Sequence, residues 1–189
     1  MARPRTVDDG AVLAGLTATF RSSGYGASSL SSLSEAAGLR SASLYHRFPG
    51  GKADMALAVL DDVARQFAHI LEPLVTGSDP AADVTEMASR LSVFYSDGKL
   101  ACVLETMTLD GAPDEVLSHA RGLSQAWIDA MAGVATRAGA APRDADRVAV
   151  DAFARIEGSL VASRVLADPS RFLSTLADLP DLLTLRETS

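Results

Sequence analysis

Three histidines, His46, His69 and His119, and one cysteine, Cys102, are the side chains in this sequence best able to hold a metal or attack an electrophile. The histidines do not stand at metal-ligand spacing, and none lies near Cys102 in sequence to take its proton. Gly50-Gly51-Lys52 is too short a fragment to cradle a phosphate, and no GxGxxG with a partner acid is present. These absences speak against a catalytic chain, and no cofactor is expected. Recognition chemistry is on offer instead in Arg40-Ser41-Ala42-Ser43-Leu44-Tyr45-His46-Arg47-Phe48. Leu44 and Phe48, four apart on a helix, face inward. Ser41, Ala42, Ser43, Tyr45 and His46 are left outward. Serine hydroxyls donate to or accept from base edges and phosphates, an alanine methyl can touch a thymine methyl, and a tyrosine hydroxyl commonly bonds phosphate. For His46 two roles stay open, a DNA contact or a solvated surface histidine. Tyr45 is either a DNA contact or a half-buried packing residue.

A short reading helix needs a brace. The spacing predicts a first helix over Asp8–Ser22, with Val12, Leu13, Leu16 and Phe20 as its apolar face and Asp8 and Asp9 at its positive end. Ser23-Gly24-Tyr25-Gly26 ends it. A second helix is predicted over Ser29–Ala37, with Ser28 as N-cap, and Gly38 takes the turn that follows. A third runs Ser41–Arg47 and stops at Pro49-Gly50-Gly51. Two short helices joined by a glycine turn form a helix-turn-helix, whose second helix fits the major groove. Ser28 and Ser29, at the start of the bracing helix, join the candidate DNA contacts. So does Lys52: a cation opening a helix opposes the helix dipole, which favours a phosphate partner over an ordinary first-turn lysine.

At this point Leu13–Met55 resembles the DNA-binding domain of the tetracycline-repressor (TetR) family. The resemblance rests on Phe20-x-x-x-Gly24-Tyr25, on Ala36-Ala37-Gly38-Leu39, on Leu44-Tyr45-His46-x-Phe48 and on Lys52. It implies an all-helical homodimer with a variable C-terminal ligand domain. Phe48-Pro49-Gly50-Gly51-Lys52 is one residue longer than the commoner form of that junction and resembles the LmrA-like subgroup, with lesser support from Ala101-Cys102-Val103-Leu104 and Phe172-Leu173. Two positions depart from the pattern. Arg40 stands where Ser or Thr usually caps the reading helix, so that either capping shifts to Ser41 or Arg40 serves as a DNA contact, and Ser34 replaces a usual alanine.

The net charge of −7 is unevenly spread. Residues 1–55 hold Arg3, Arg5, Arg21, Arg40, Arg47 and Lys52 against Asp8, Asp9, Glu35 and Asp54, a net of +2, which leaves −9 for the rest. A mildly basic head on an acidic body suits a protein that meets DNA at one end. No apolar run approaches the ~20 residues of a membrane span, and no apolar stretch follows the first residues as in a secretory signal, so a cytoplasmic protein without membrane partners is expected.

Beyond the head, a long fourth helix is expected from Lys52 to Val75, then helices over about 81–97, 100–109, 114–139 and 144–168, and a last from Pro169 to about Leu179. The fold class is all-α: a three-helix DNA-binding head, residues 1–52, and a larger helical ligand-binding and dimerisation domain, residues 53–189. Met87, Leu91, Phe94, Met107, Trp127, Met131 and Phe153 line a ligand cavity or make a plain core; the resemblance favours the cavity. Glu105 sits either on a solvent stripe or as a polar anchor in that cavity, and the stripe is favoured because buried carboxylates are uncommon. Two chains are expected to pair through the last two long helices. The partners implied are a palindromic DNA operator, a small-molecule effector and a second copy of the chain.

Overall fold

The computed structural model describes residues 8–185; Arg3 and Arg5, counted above in the charge of the head, lie outside them. The described residues form nine α-helices and no strand. They are α1 (Asp9–Ala27), α2 (Leu30–Ala36), α3 (Ser41–Arg47), α4 (Lys52–Thr76), α5 (Pro80–Phe94), α6 (Val103–Thr108), α7 (Asp114–Arg137), α8 (Pro142–Val165) and α9 (Ser170–Leu183).

The chain folds as two compact units. The first takes the residues up to Ala64 together with Val103–Arg121, and so joins α6 and the start of α7 to the head helices. Asp8 caps α1 through its carboxylate, which accepts from the Ala11 N–H. Val12, Leu16 and Phe20 are fully buried along one side of α1. Contrary to the expected end at Ser22, α1 continues to Ala27 through a break at Gly24, whose φ of 73° suits glycine. The break lets α1 pass against α6: a Cβ on Gly24 would lie 2.8 Å from the Thr106 carbonyl oxygen. Gly15 has the same service against α2, since a Cβ there would collide with the backbone carbonyl of Ala36.

The second unit takes Arg65–Cys102 and the residues from Gly122 on. Within it α9 packs on both α5 and α8, and Leu91, Trp127, Met131, Ile156, Leu160, Phe172 and Leu179 are buried to 1% exposure or less. Two guanidinium groups complete its helix ends. Pro73, inside α4, has no N–H to offer the His69 carbonyl four residues back, and Arg90 Nη1 donates to that oxygen at 2.5 Å. Arg137 donates to the Leu74 carbonyl at 2.6 Å and to Asp83 Oδ2 at 3.0 Å, joining the ends of α4, α5 and α7. No helix among the described residues is long and apolar enough to cross a membrane.

Candidate DNA interface and aromatic cluster

The turn between α2 and α3 is built from three hydrogen bonds. Gly38, at φ 64°, donates to the Glu35 carbonyl, and Leu39 donates to the Ser34 carbonyl, both at 3.0 Å. This pair is the glycine-dependent Schellman ending of a helix. The third bond explains the departure at Ser34: its hydroxyl donates to the Leu39 carbonyl at 2.5 Å, tying the bracing helix to the first residue of the turn's far side. Leu44 and Phe48 anchor α3 to the first unit at 1% and 8% exposure, as their spacing requires. The opposite side is open. Arg40, Ser41, Ala42, Ser43, Tyr45 and His46 are all exposed, Tyr45 at 45%. Arg40 holds the N-cap position of α3 without a side-chain capping bond, since a guanidinium has no acceptor to offer the first N–H groups of the helix. Arg47 is half-buried, pairs with Asp9, and stacks its charge 6.0 Å from the Phe48 ring centre.

Two residues expected at the DNA face do other work. Ser28 is 2% exposed, and its hydroxyl donates to the Gly24 carbonyl at 2.6 Å. It closes the end of α1; the N-cap of α2 is Ser29, which accepts from the Ser32 N–H. Lys52 has found its partners inside the protein. Its Nζ donates to the carbonyls of Tyr25 (2.8 Å), Gly26 (3.3 Å) and Ser28 (3.2 Å) and lies 4.4 Å from the Tyr25 ring centre. A cation that opposes the dipole of its own helix here satisfies the C-terminal carbonyls of α1, so the reason for expecting a phosphate is removed. The Tyr25 ring, stacked 6.0 Å from Phe20, is buried, and burial with the Glu115 charge nearby pushes its phenol above the usual 10.0. The lengthened junction is a turn: Gly51, at φ 71°, donates to the Phe48 carbonyl, and Asp54 accepts from the Gly50 N–H at 2.5 Å.

The candidate ligand residues fall into two groups. Glu105, half-buried, and Met107, fully buried, belong to α6 in the first unit. Met87, Leu91, Phe94, Trp127, Met131 and Phe153 belong to the second. There, six aromatic rings form one chain: Phe153, Trp127, Phe67, Phe94, Tyr95 and Phe172, with successive centres 5.4, 5.1, 5.3, 4.8 and 5.8 Å apart. They come from α4, α5, α7, α8, α9 and the C-cap of α5. Phe67, Tyr95 and Phe172 were not among the sequence candidates. Phe67 continues the apolar row of Val63 and Ile70 on α4, a signal that core packing alone would also give. Tyr95 also donates its hydroxyl to Cys102 Sγ at 3.4 Å.

A three-helix head with an open reading helix, carried on an otherwise helical chain, defines a helix-turn-helix DNA-binding protein. Residues 12–59 match the model of the N-terminal domain of bacterial regulatory proteins of the tetR family. The chain thus carries a TetR-family DNA-binding domain in its N-terminal part. Over 185 residues it is 23% identical to the HTH-type transcriptional regulator LmrA of Bacillus subtilis (strain 168), covering 91% of this chain and 94% of that one. Solved structures share the fold. A TetR transcriptional regulator from Legionella pneumophila superposes with a TM-score of 0.82 at 19% identity, over 93% of this chain and 97% of that one. The TetR-family regulator CifR in complex with a 26-base-pair operator DNA gives 0.75 at 20% identity, over 95% and 98%. FadR of Bacillus subtilis in complex with stearoyl-CoA gives 0.72 at 13% identity, over 96% and 100%.

Proposed function

We propose that this regulator is a repressor that binds a palindromic operator as a dimer and is released by a small apolar or aromatic molecule. The observation that carries the reading is the open side of α3, where Ser41, Ala42, Ser43, Tyr45 and His46 stand exposed next to a turn fixed by Gly38. Arg40 and Ser29, both exposed, extend that side. The operator complex of CifR, a protein of the same fold, supports DNA as the partner of this face. Residues 1–52 then hold the DNA-binding function and residues 53–189 the ligand and dimer functions. Val150, Val161 and Val165 on α8 and Leu173 on α9 are exposed apolar side chains, which a second copy would cover, and a twofold pair requires a palindrome.

The effector reading is supported by the ring chain of the second unit and by the acyl-CoA bound to FadR. Helix α4 contributes residues 52–64 to the first unit and 65–76 to the second, so a ligand-dependent shift in the second would reach the head along this continuous helix. The test is fluorescence anisotropy with a labelled duplex from upstream of the protein's own gene. Tight binding that falls at least tenfold in Tyr45→Ala, with the melting temperature unchanged, is expected. Equal binding by the folded variant would remove α3 as the reader. Apolar and aromatic compounds are then screened for release of the duplex.

A further inference from the structure

We infer that the indole N–H of Trp127 is the polar contact of the effector site, so that the effector is an aromatic or apolar molecule carrying a hydrogen-bond acceptor such as a carbonyl. The inference rests on the proposed effector site in the second unit and names the chemistry it selects. Trp127 is 1% exposed, and its Nε1, buried, has no hydrogen-bond partner among the described residues. Buried tryptophan N–H groups ordinarily have one, because an unpaired buried donor forfeits its hydration with no return. A phenylalanine would fill a phenyl-lined position without that loss. The surroundings are indeed phenyl rings: Phe67 at 5.1 Å and Phe153 at 5.4 Å, centre to centre, the latter edge to face. Rings of this kind offer area to an apolar ligand and no acceptor stronger than their own faces.

Phe94, next along the chain through Phe67, and Phe153, at its end, are half-buried, so the run of rings reaches the surface of the unit on both sides of Trp127. Met131, one turn beyond Trp127 on α7, is fully buried and adds a deformable apolar wall on the same helix face. A site with much apolar surface and one convergent polar group binds by area and orients by that group. Here the group is a donor only, and the ligand must therefore supply the acceptor.

Trp127 is the single tryptophan, so its indole 15N–1H cross-peak and its fluorescence report this position alone. The full-length protein is titrated with two shape-matched pairs, acetophenone against α-methylstyrene and 2-acetylnaphthalene against 2-isopropenylnaphthalene; the ketone of each pair has the acceptor and the alkene lacks it. In at least one pair the ketone is expected to bind five- to tenfold more tightly, the return of one hydrogen bond. The indole proton should move downfield with the ketone and not with the alkene. In Trp127→Phe, checked for helicity, the two members of the pair should bind equally. Alkene binding as tight as ketone binding to the unmodified protein overturns the inference and leaves an aromatic effector site standing. A ketone preference that persists in Trp127→Phe overturns it too. Failure of all four compounds to bind overturns the effector-site reading and the inference with it. The unmodified protein alone decides the matter if Trp127→Phe does not fold.

Discussion

Replacing Lys52 by methionine keeps the aliphatic stem and removes only the ammonium group that donates to the Tyr25, Gly26 and Ser28 carbonyls. Hydrogen bonds to a charged group contribute about 1.5–3 kcal/mol each when fully desolvated. Lys52 is half-buried and Gly26 is exposed, so water replaces part of what is lost. A net cost of about 2 kcal/mol to the first unit follows, which lowers the melting temperature by about 4–8 °C in a chain of this size. The decisive readout is the salt dependence of operator binding. A phosphate-bound lysine contributes about 0.9 to the slope of log K against log salt, so losing one from each of two heads would flatten it by about 2. A capping lysine leaves the slope as it was. Calorimetric melting and anisotropy titrations across a salt series measure both quantities. An unchanged melting temperature with a slope flatter by about 2 would refute the capping role and return Lys52 to the DNA.

Gly15→Ala should destabilise the head by about 1–3 kcal/mol and weaken DNA binding, because the new methyl meets the Ala36 backbone and α1 must lift from α2; Gly133→Ala on α7, where the methyl meets nothing within 4 Å, should gain up to about 1 kcal/mol in the same melting assay. Arg137→Met should cost about 2–3 kcal/mol by chemical denaturation, less than a fully buried pair, since the Arg137 side chain is 35% exposed while that of Asp83 is only 11% exposed; adding Asp83→Asn should recover part of the loss. The raised phenol of Tyr25 contributes stability that is present below pH 10 and is lost as the pH rises through its raised value. Tyr25→Phe should therefore remove part of the alkaline loss of stability, read as melting temperature against pH from 9 to about 11.5.

The local rules carried the head far. Glycine after a short helix, inward residues four apart and a Pro-Gly-Gly stop placed α3 at Ser41–Arg47 and opened α4 at Lys52, as the structure has them. Misplacements came where the deciding partner is distant in sequence. Gly24 reads as a helix end until the Thr106 carbonyl is seen beside it. Lys52 finds its carbonyls 24 to 27 residues earlier, and nothing in its neighbourhood signals them. The expected extension of α5 to residue 97 fails because Ser96 and Asp97 take positive φ, at 49° and 59°, in a turn that Gly98 continues at φ 86°. In the body, periodicity identified Phe94, Trp127 and Phe153 as inward-facing, but that they join through Phe67 is a property of helix packing. Ser28 and Ser29 are adjacent serines with opposite fates, one buried against Gly24 and one capping α2, and only the break in α1 separates them.

The central claim is that the exposed side of α3 reads operator DNA as a twofold pair. A hydroxyl-radical footprint of the region upstream of the gene tests it most directly, because it reports both position and symmetry. The account predicts two protected half-sites related by a dyad, one DNA turn apart centre to centre, about 10 base pairs, and their loss in a folded Tyr45→Ala variant. A single unsymmetrical footprint, or one that the variant reproduces unchanged, would contradict it.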